Sequence, residues 1–469
     1  MNDRSGPLLE RAGVADRIGG SLRSATQMLV FSGSSRLTDV WPRFGARLLD
    51  ATLQPVLGSA TVGALFARRN RAALQKVKAF RRFLVIPDIH IGDSVLTQPA
   101  LTAIRDFFPA AEIDYVVNRG VASLVGGNPD ATRVLPLFSG GIHPTADDVN
   151  RLRALVAAGS YDLCLSFTSL LEPEEQADAT QPLISVMSHG ATLVRNERDP
   201  AEINHFSFQH YRFVRALLSN VASPVRPERY PGFQVTLPDH AVERALAFLA
   251  RAGVADSAPV VVFNPDGASP YTRMPFDLQR ALLSRLSHES PAGTAILVGA
   301  GHTADGLGQR LADSLPASRR MKTRVIPKQL PLAAYAALLD FADVFVTGDT
   351  GPLHLAAARR TSESGCYQLR NRTAIISIFG ATLPRMSGYD SARTGYLPAN
   401  QDAPSWCFHA PSHCHNITCL NKLYKTCRLV RCFEQVDVGA VARVALSRLR
   451  EAPASLPARV AVPRECIPA

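Results

Sequence analysis

The stretch from Phe83 to Pro109, FLVIPDIHIGDSVLTQPALTAIRDFFP, opens on an uninterrupted apolar run that ends near Pro87. It crosses a short loop holding Gly92 and Asp93, and continues from near Ser94 as a helical period over about residues 95–108. A short apolar run with no polar alternation reads as a strand covered on both faces, and a helix directly behind it is the start of a βαβ unit. The same alternation recurs outward from this point in two series. The first has candidate strands at Phe83–Pro87, Ile113–Val117, Val134–Leu137 and Asp162–Phe167, with helices near 95–108 and 147–158. The second has strands near Val260–Asn264, Thr294–Val298, Arg324–Ile326, Val344–Val346 and Ala374–Phe379. A helical stretch around Asn204–Ser219 and a Pro-rich segment, Pro224–Pro238, lie between them. The expected fold is α/β: two Rossmann-like doubly wound domains facing a central cleft, with a boundary near residue 240. The domains are then 1–80, 81–240 and 241–469, and the final helical stretch, Val436–Arg450, is expected to tie the C-terminus back to the first half.

The 469 residues suffice for two or three domains with ordinary cores, and 46% apolar against 19% charged residues is globular composition. The formal charge of +11 (51 basic, 40 acidic) is concentrated at the N-terminus, where residues 1–82 hold 14 Lys and Arg against 5 Asp and Glu. The remaining 387 residues are nearly neutral, 37 against 35, and carry no helix-turn-helix, zinc-finger or RNP pattern, which excludes a nucleic-acid protein. Residues 1–80 read as a helical basic extension. Apolar residues such as Leu48, Leu53, Leu57 and Phe66 precede a cluster of Arg68, Arg69, Arg71, Lys76, Lys78, Arg81 and Arg82, a pattern suited to an anionic membrane surface or to a solvated face of the protein. No apolar run reaches the roughly 18 residues of a spanning helix, and the opening 20 residues lack a signal-peptide core. The expected location is cytoplasmic, with a peripheral position on the inner face of the cytoplasmic membrane, where the eight cysteines stay mostly reduced.

In open α/β sheets ligands bind outside the carboxyl ends of the strands, so function is sought in three strand-to-helix loops. In the first, Gly92 permits close backbone approach, Ser94 opens the helix, and Asp93 reads either as a general base facing the cleft or as a helix N-cap. The second, NPDGASPYTRMPFDLQRAL from Asn264 to Leu282, leads into a helix near Pro275; Arg273 reads either as a contact for an anion such as a diphosphate or as a solvated arginine. In the third, VTGDTGPLHLAAA from Val346 to Ala358, Thr350 and the amides of the turn suit phosphate, Asp349 suits either sugar hydroxyls or the ordering of the loop, and His354 either lines the cleft or is a structural histidine.

Together these residues resemble the ADP-heptose:lipopolysaccharide heptosyltransferases, inverting glycosyltransferases of the two-Rossmann type called GT-B. The likeness rests on the 83–117 stretch, GNPDATRVLPL, VVFNPDGA, AILVGAG, VTGDTGPLHLAAA and ISIFGATLP in that order, over roughly residues 80–450. It implies that Asp93 is the catalytic base, that Thr350, Gly351 and nearby amides hold the nucleotide diphosphate, and that Asp349 contacts the donor sugar. Gly380 and Thr382 then shape the donor pocket, and a family lysine that neutralises the diphosphate aligns with Thr272 rather than Arg273. The partners implied are an ADP-heptose-like nucleotide-sugar donor and a lipid-linked glycan acceptor. No D-x-D motif occurs, and no cofactor is expected for transfer. The segment from Trp406 to Cys432 gathers Cys407, Cys414, Cys419, Cys427 and Cys432 with His409, His413 and His415, soft ligands for a structural zinc or iron, though without CxxC pairs. Related autotransporter-protein heptosyltransferases carry an iron-binding cysteine motif at a comparable place. A two-Rossmann nucleotide-sugar epimerase and a non-catalytic nucleotide-sugar-binding membrane protein are the alternative readings.

Overall fold

The structure, a computed structural model, describes residues 74–75, 77, 79–139, 145–158, 161–167, 183–185, 205–267, 272–301, 306–359, 373–380, 382, 384–389, 405–409 and 431–451. The basic extension therefore lies outside the described residues but for its last few, as do Cys414, Cys419, Cys427, His413 and His415.

Two parallel sheets form as the apolar runs predict. The first has the order β3-β2-β1-β4-β5, built from β1 (Arg82–Ile86), β2 (Glu112–Asn118), β3 (Arg133–Phe138), β4 (Leu163–Ser166) and β5 (Leu183–Ser185). The second has the order β11-β10-β9-β6-β7-β8, built from β6 (Val260–Phe263), β7 (Ala295–Gly299), β8 (Thr323–Ile326), β9 (Val344–Gly348), β10 (Ala374–Phe379) and β11 (Ser405–His409). In each, the chain starts at the centre, winds outward to one edge, then crosses back beside its first strand. The crevices between β1 and β4 and between β6 and β9 are the switch points at which such sheets bind ligands.

Alternate residues of each strand serve opposite faces. In the second sheet Val260, Val262, Phe345 and Ile375 face one core, while Val261, Phe263, Val344, Val346 and Ile376 face another with the helix Val438–Glu451. That helix packs its Val441, Ala442, Ala445, Leu446 and Leu449 into this second-sheet core, so the expectation that it ties back to the first half is overturned. Its apolar stripe is filled by the helix Phe276–Glu289 and by strands β9 and β10, all of the second half. The other core is continuous between the sheets, joining Phe83, Val85 and Tyr115 to Val260, Phe345 and Phe379.

The helices are α1 (Ile91–Leu96), α2 (Gln98–Phe107), α3 (Ala122–Val125), α4 (Ala146–Ala158), α5 (Phe206–Leu218), α6 (Asp239–Arg251), α7 (Phe276–Glu289), α8 (Leu307–Asp313), α9 (Ala317–Arg320), α10 (Leu332–Phe341), α11 (Gly351–Arg359), α12 (Pro384–Ser387) and α13 (Val438–Glu451). The single helix expected over 95–108 is two, because Pro99 has no amide proton to continue a ladder and sits near the start of α2. Among the described residues no helix is long and apolar enough to cross a membrane.

Buried polar contacts fix how these pieces sit. Asp106 on α2 accepts from the Tyr211 hydroxyl at 2.9 Å and pairs with Arg215, which fastens α5 to α2. Between the halves, the extended segment 233–237 donates from Thr236 N to Leu124 O at 2.8 Å, while Val235 O accepts from Arg359 Nη1 at 2.7 Å. Arg359 is itself fully buried against Asp340, with Nε and Nη2 at 2.9 and 2.7 Å from Oδ2. Two charges removed from water are tolerable only as a pair, and taking away one leaves the other uncompensated. Asp340→Ala is expected to lower stability by about 3–5 kcal/mol, read as a fall in the urea midpoint; an unchanged midpoint would contradict the clamp.

Candidate functional site

The first loop is built from β2. Asn118 at the end of that strand donates from Nδ2 to Ile89 O at 3.1 Å, holding the turn between β1 and α1. The buried Tyr115 hydroxyl donates to Ser94 O at 2.5 Å beneath α1. Burial raises the Tyr115 hydroxyl well above its ordinary value, and Asp93 nearby adds to the shift, so it remains a donor. The N-cap of α1 is His90, without a side-chain cap bond, and Asp93 is the third helical residue. The N-cap reading of Asp93 is therefore corrected: the helix starts earlier than Ser94. Asp93 is half-buried, and Gly92 and Ser94 are buried.

Loops two and three meet at the carboxyl ends of β6 and β9. Asn264 Nδ2 lies 3.0 Å from Thr347 Oγ1 and 3.1 Å from Thr350 Oγ1, and the two threonine hydroxyls are 3.1 Å apart. This buried triad fixes the turn that carries Asp349 and Thr350 into α11. A Cβ on Gly348 would lie 2.6 Å from Thr272 O, so the two loops touch where that position has no side chain. Arg273 Nε sits 2.7 Å from Asp266 Oδ1, and its Nη2 donates to Gly267 O at 3.1 Å. The Asp266 carboxylate is buried, so the pair offers this loop no net positive charge. Neither the solvated reading of Arg273 nor a free cation for a diphosphate describes it.

The first and third loops also meet. A Cβ on Gly92 would stand 2.6 Å from His354 Cδ2, and one on Gly351 2.9 Å from Ile91 Cβ. Helices α1 and α11 touch end to end across the halves at positions with no side chain. His354 is buried; its Nε2 is 3.9 Å from Asp349 Oδ1 and its Nδ1 is 2.8 Å from the Tyr389 hydroxyl. Burial holds its pKa down at about 4 against the opposing pull of Asp349, so the ring is neutral at pH 7. Gly380 is buried just past β10, Thr382 is half-buried beyond it, and α12 follows, leading to Tyr389. The structure thus brings Gly92 of α1 against His354 and Gly351, with Asp93 and Thr350 their neighbours in the chain. Sequence reading missed Asn264, Tyr389 and the buried His205, whose ring centroid is 5.2 Å from that of Tyr389. Asn264 stands in a quoted motif and could have been singled out; Tyr389 sits in a segment without pattern, and His205 opens a helical stretch that carries no loop motif.

Of the cysteine cluster, Cys407 on β11 lies 3.2 Å from Ser377 Oγ and faces the core shared by both sheets. Cys432 belongs to the other core, with α13. The described members of the segment are thus separated, and among the described residues no group of three or more His, Cys, Asp or Glu is arranged to hold a metal.

Residues 214–417 match glycosyltransferase family 9 (heptosyltransferase). The family 9 match is less than half of the chain; it takes in the second and third loops, Gly380 and Thr382, and leaves out Asp93. It bears out the resemblance to that family over these residues. Among solved structures, the glycosyl transferase family 9 protein from Veillonella parvula DSM 2008 is 16% identical at TM-score 0.55, covering 79% of this chain and 98% of that one. Its likeness is one of fold, the two-sheet architecture expected from the strand pattern. The E. coli ADP-heptose lps heptosyltransferase II is 13% identical (TM-score 0.48, 74% of this chain, 98% of that one), and E. coli heptosyltransferase WaaC with ADP 20% identical (0.42, 74% and 100%). No curated protein matches the sequence.

His354 and the half-buried His210 carry a pH signature. His210, whose Nδ1 is 3.3 Å from Leu96 O, is also held down at about 4 by burial. An unfolded histidine titrates near 6.5, so between about 6.5 and 4 the unfolded chain binds more protons than the folded one. Stability should fall as pH drops through that window, by up to about 1.4 kcal/mol per pH unit for each such histidine. Urea midpoints from pH 7 to 5 test this, and His210→Phe should flatten the slope.

Proposed function

We propose that this protein is an inverting glycosyltransferase that moves heptose, or a related sugar, from a nucleoside diphosphate donor to a lipopolysaccharide core or other surface-glycan acceptor. ADP-heptose is the favoured donor. The observation that carries the reading is the meeting of α1 with α11: the helix bearing Asp93 touches, through Gly92, the loop of the family 9 match that bears Asp349, Thr350 and His354.

In this reading Asp93 takes the proton of the acceptor hydroxyl. The acceptor oxygen then forms its bond to the anomeric carbon as the bond from that carbon to the diphosphate oxygen breaks. One displacement inverts the centre, and the departing charge is received by Thr350 and the amides that open α11, a nine-residue helix whose N-terminus faces the crevice. The triad with Asn264 and Thr347 keeps the Thr350 hydroxyl in place before substrate arrives, so little reorganisation is needed in the transition state. Arg273, neutralised by Asp266, is not assigned the leaving-group charge. Transfer is proposed to proceed without a divalent metal, supported by the absence of a D-x-D motif from the sequence. A cytoplasmic site of action, with the basic extension against anionic lipid, fits this acceptor.

Release of nucleoside diphosphate from ADP-heptose, with and without lipid-core acceptor, tests the reading directly. Acceptor-dependent release is expected. Asp93→Asn should reduce it about 10²- to 10⁴-fold, the ordinary contribution of a general base, and a loss of only a few-fold would remove Asp93 from that role. A changed sugar without acceptor would favour the epimerase instead. Chelation should leave the rate unchanged; a loss restored by divalent metal would overturn the metal-free step.

A further inference from the structure

Tyr389 has been given no part in transfer, yet it is buried and its hydroxyl meets His354 Nδ1 at 2.8 Å. Its ring also packs at 5.2 Å from His205, 6.2 Å from Phe233 and 5.9 Å, edge-on, from His354. It lies beyond α12, in the same stretch that leaves β10 through Gly380 and Thr382.

A neutral imidazole has one proton, so one ring nitrogen donates and the other accepts, and the partner of one decides the role of the other. The second nitrogen of His354, Nε2, faces Asp349 Oδ1 at 3.9 Å. That is too long for a hydrogen bond, but the carboxylate favours a proton on the nitrogen facing it. Nδ1 is then the acceptor, and the tyrosine hydroxyl is its donor.

We propose that Tyr389 is a positioning residue: by donating to Nδ1 it fixes His354 in the tautomer that carries its proton on Nε2, beside Asp349. The pair then presents an N–H donor and a carboxylate acceptor 3.9 Å apart. That spacing suits one hydroxyl placed between them, its oxygen accepting from Nε2–H and its own proton going to Asp349. A sugar hydroxyl has this double character and a phosphate oxygen does not. This extension rests on the glycosyltransferase reading, with the hydroxyl belonging to the donor sugar. Without the tyrosine donor the proton is free to move to Nδ1, and Nε2 would turn a lone pair toward the carboxylate and reject the hydroxyl. The titratable groups around the ring are Asp349 from the loop before α11, His205 from the segment before α5, Tyr389 itself, and Asp93 on α1, next to the Gly92 that touches the ring.

The test uses the full chain with ¹⁵N-labelled histidine, the His354 signals assigned by His354→Gln. Long-range ¹H–¹⁵N correlation reports which nitrogen is protonated. Wild type is expected as a single Nε2–H tautomer. Tyr389→Phe, which keeps the ring packing, is expected to lose that exclusivity, and to raise the KM for the nucleotide sugar up to about tenfold, the value of one hydrogen bond, with kcat changed less. A Tyr389→Phe protein that keeps a single Nε2–H tautomer overturns the proposal, as does a wild type protonated on Nδ1. Should that variant not fold, 3-fluorotyrosine at position 389, a stronger donor, must shift the Nδ1 resonance, and an unmoved resonance is equally adverse. The tautomer is read without turnover, so a wild type that releases no nucleoside diphosphate would refute the glycosyltransferase while leaving this assignment to stand or fall by its spectrum.

Discussion

Helices α1 and α11 can touch end to end only because Gly92 and Gly351 carry no side chains where they meet. One methyl group at Gly92 would enter the van der Waals envelope of the His354 ring, and one at Gly351 would strike Ile91. Interiors are packed too densely to absorb such an atom without moving a helix. That contact sets Gly92, the residue before Asp93, against the third loop. It also seals one side of His354, whose depressed pKa comes from burial, and with Tyr389 it fixes the direction in which the ring faces. The chemistry proposed for the cleft is thus downstream of a steric allowance at two positions.

The electrostatics of the site follow the same economy. Its described ionisable groups include the carboxylates of Asp93 and Asp349, the neutral His354 imidazole beside the latter, and an arginine matched by Asp266. In the proposed reading a diphosphate meets the hydroxyl of Thr350 and the amides that open α11. Dipoles held in a water-poor crevice suit a charge that develops during reaction, since they need not move when it appears. Fixed hydroxyls of this kind have to be supported from behind, and the Asn264–Thr347–Thr350 triad does that at the crevice where the second sheet reverses its winding.

Much of this architecture is legible because strands buried on both faces write themselves as short, wholly apolar runs. β10 is found at Ala374–Phe379 as expected, and the other expected strands differ at their ends by one or two residues. The edge strand β11 escapes that signal. It has one neighbour, its residues Ser405–His409 are of mixed polarity, and its cysteine and histidine attract a metal reading instead. Position within a helix is likewise invisible when the cap is unconventional: His90, which makes no side-chain cap bond, stands where Asp93 is the natural candidate. Asp93, Thr350 and Gly351 could be chosen from loop chemistry alone. Tyr389 and His205 could not, because each matters through a neighbour remote in sequence. The partner of α13 is obscure for a related reason, since an apolar stripe states that a helix is covered without stating by what.

The crossing segment at Phe233–Leu237 bears on how the cleft works mechanically. It is stitched on one side to α3, through Thr236, and on the other to α11, through Val235 and Arg359. Adjacent residues are therefore anchored to opposite halves, and the connection has no slack. The halves are thus joined at this crossing, at the meeting of α1 with α11 and through the continuous core, and at the crossing two consecutive residues carry the attachment to both.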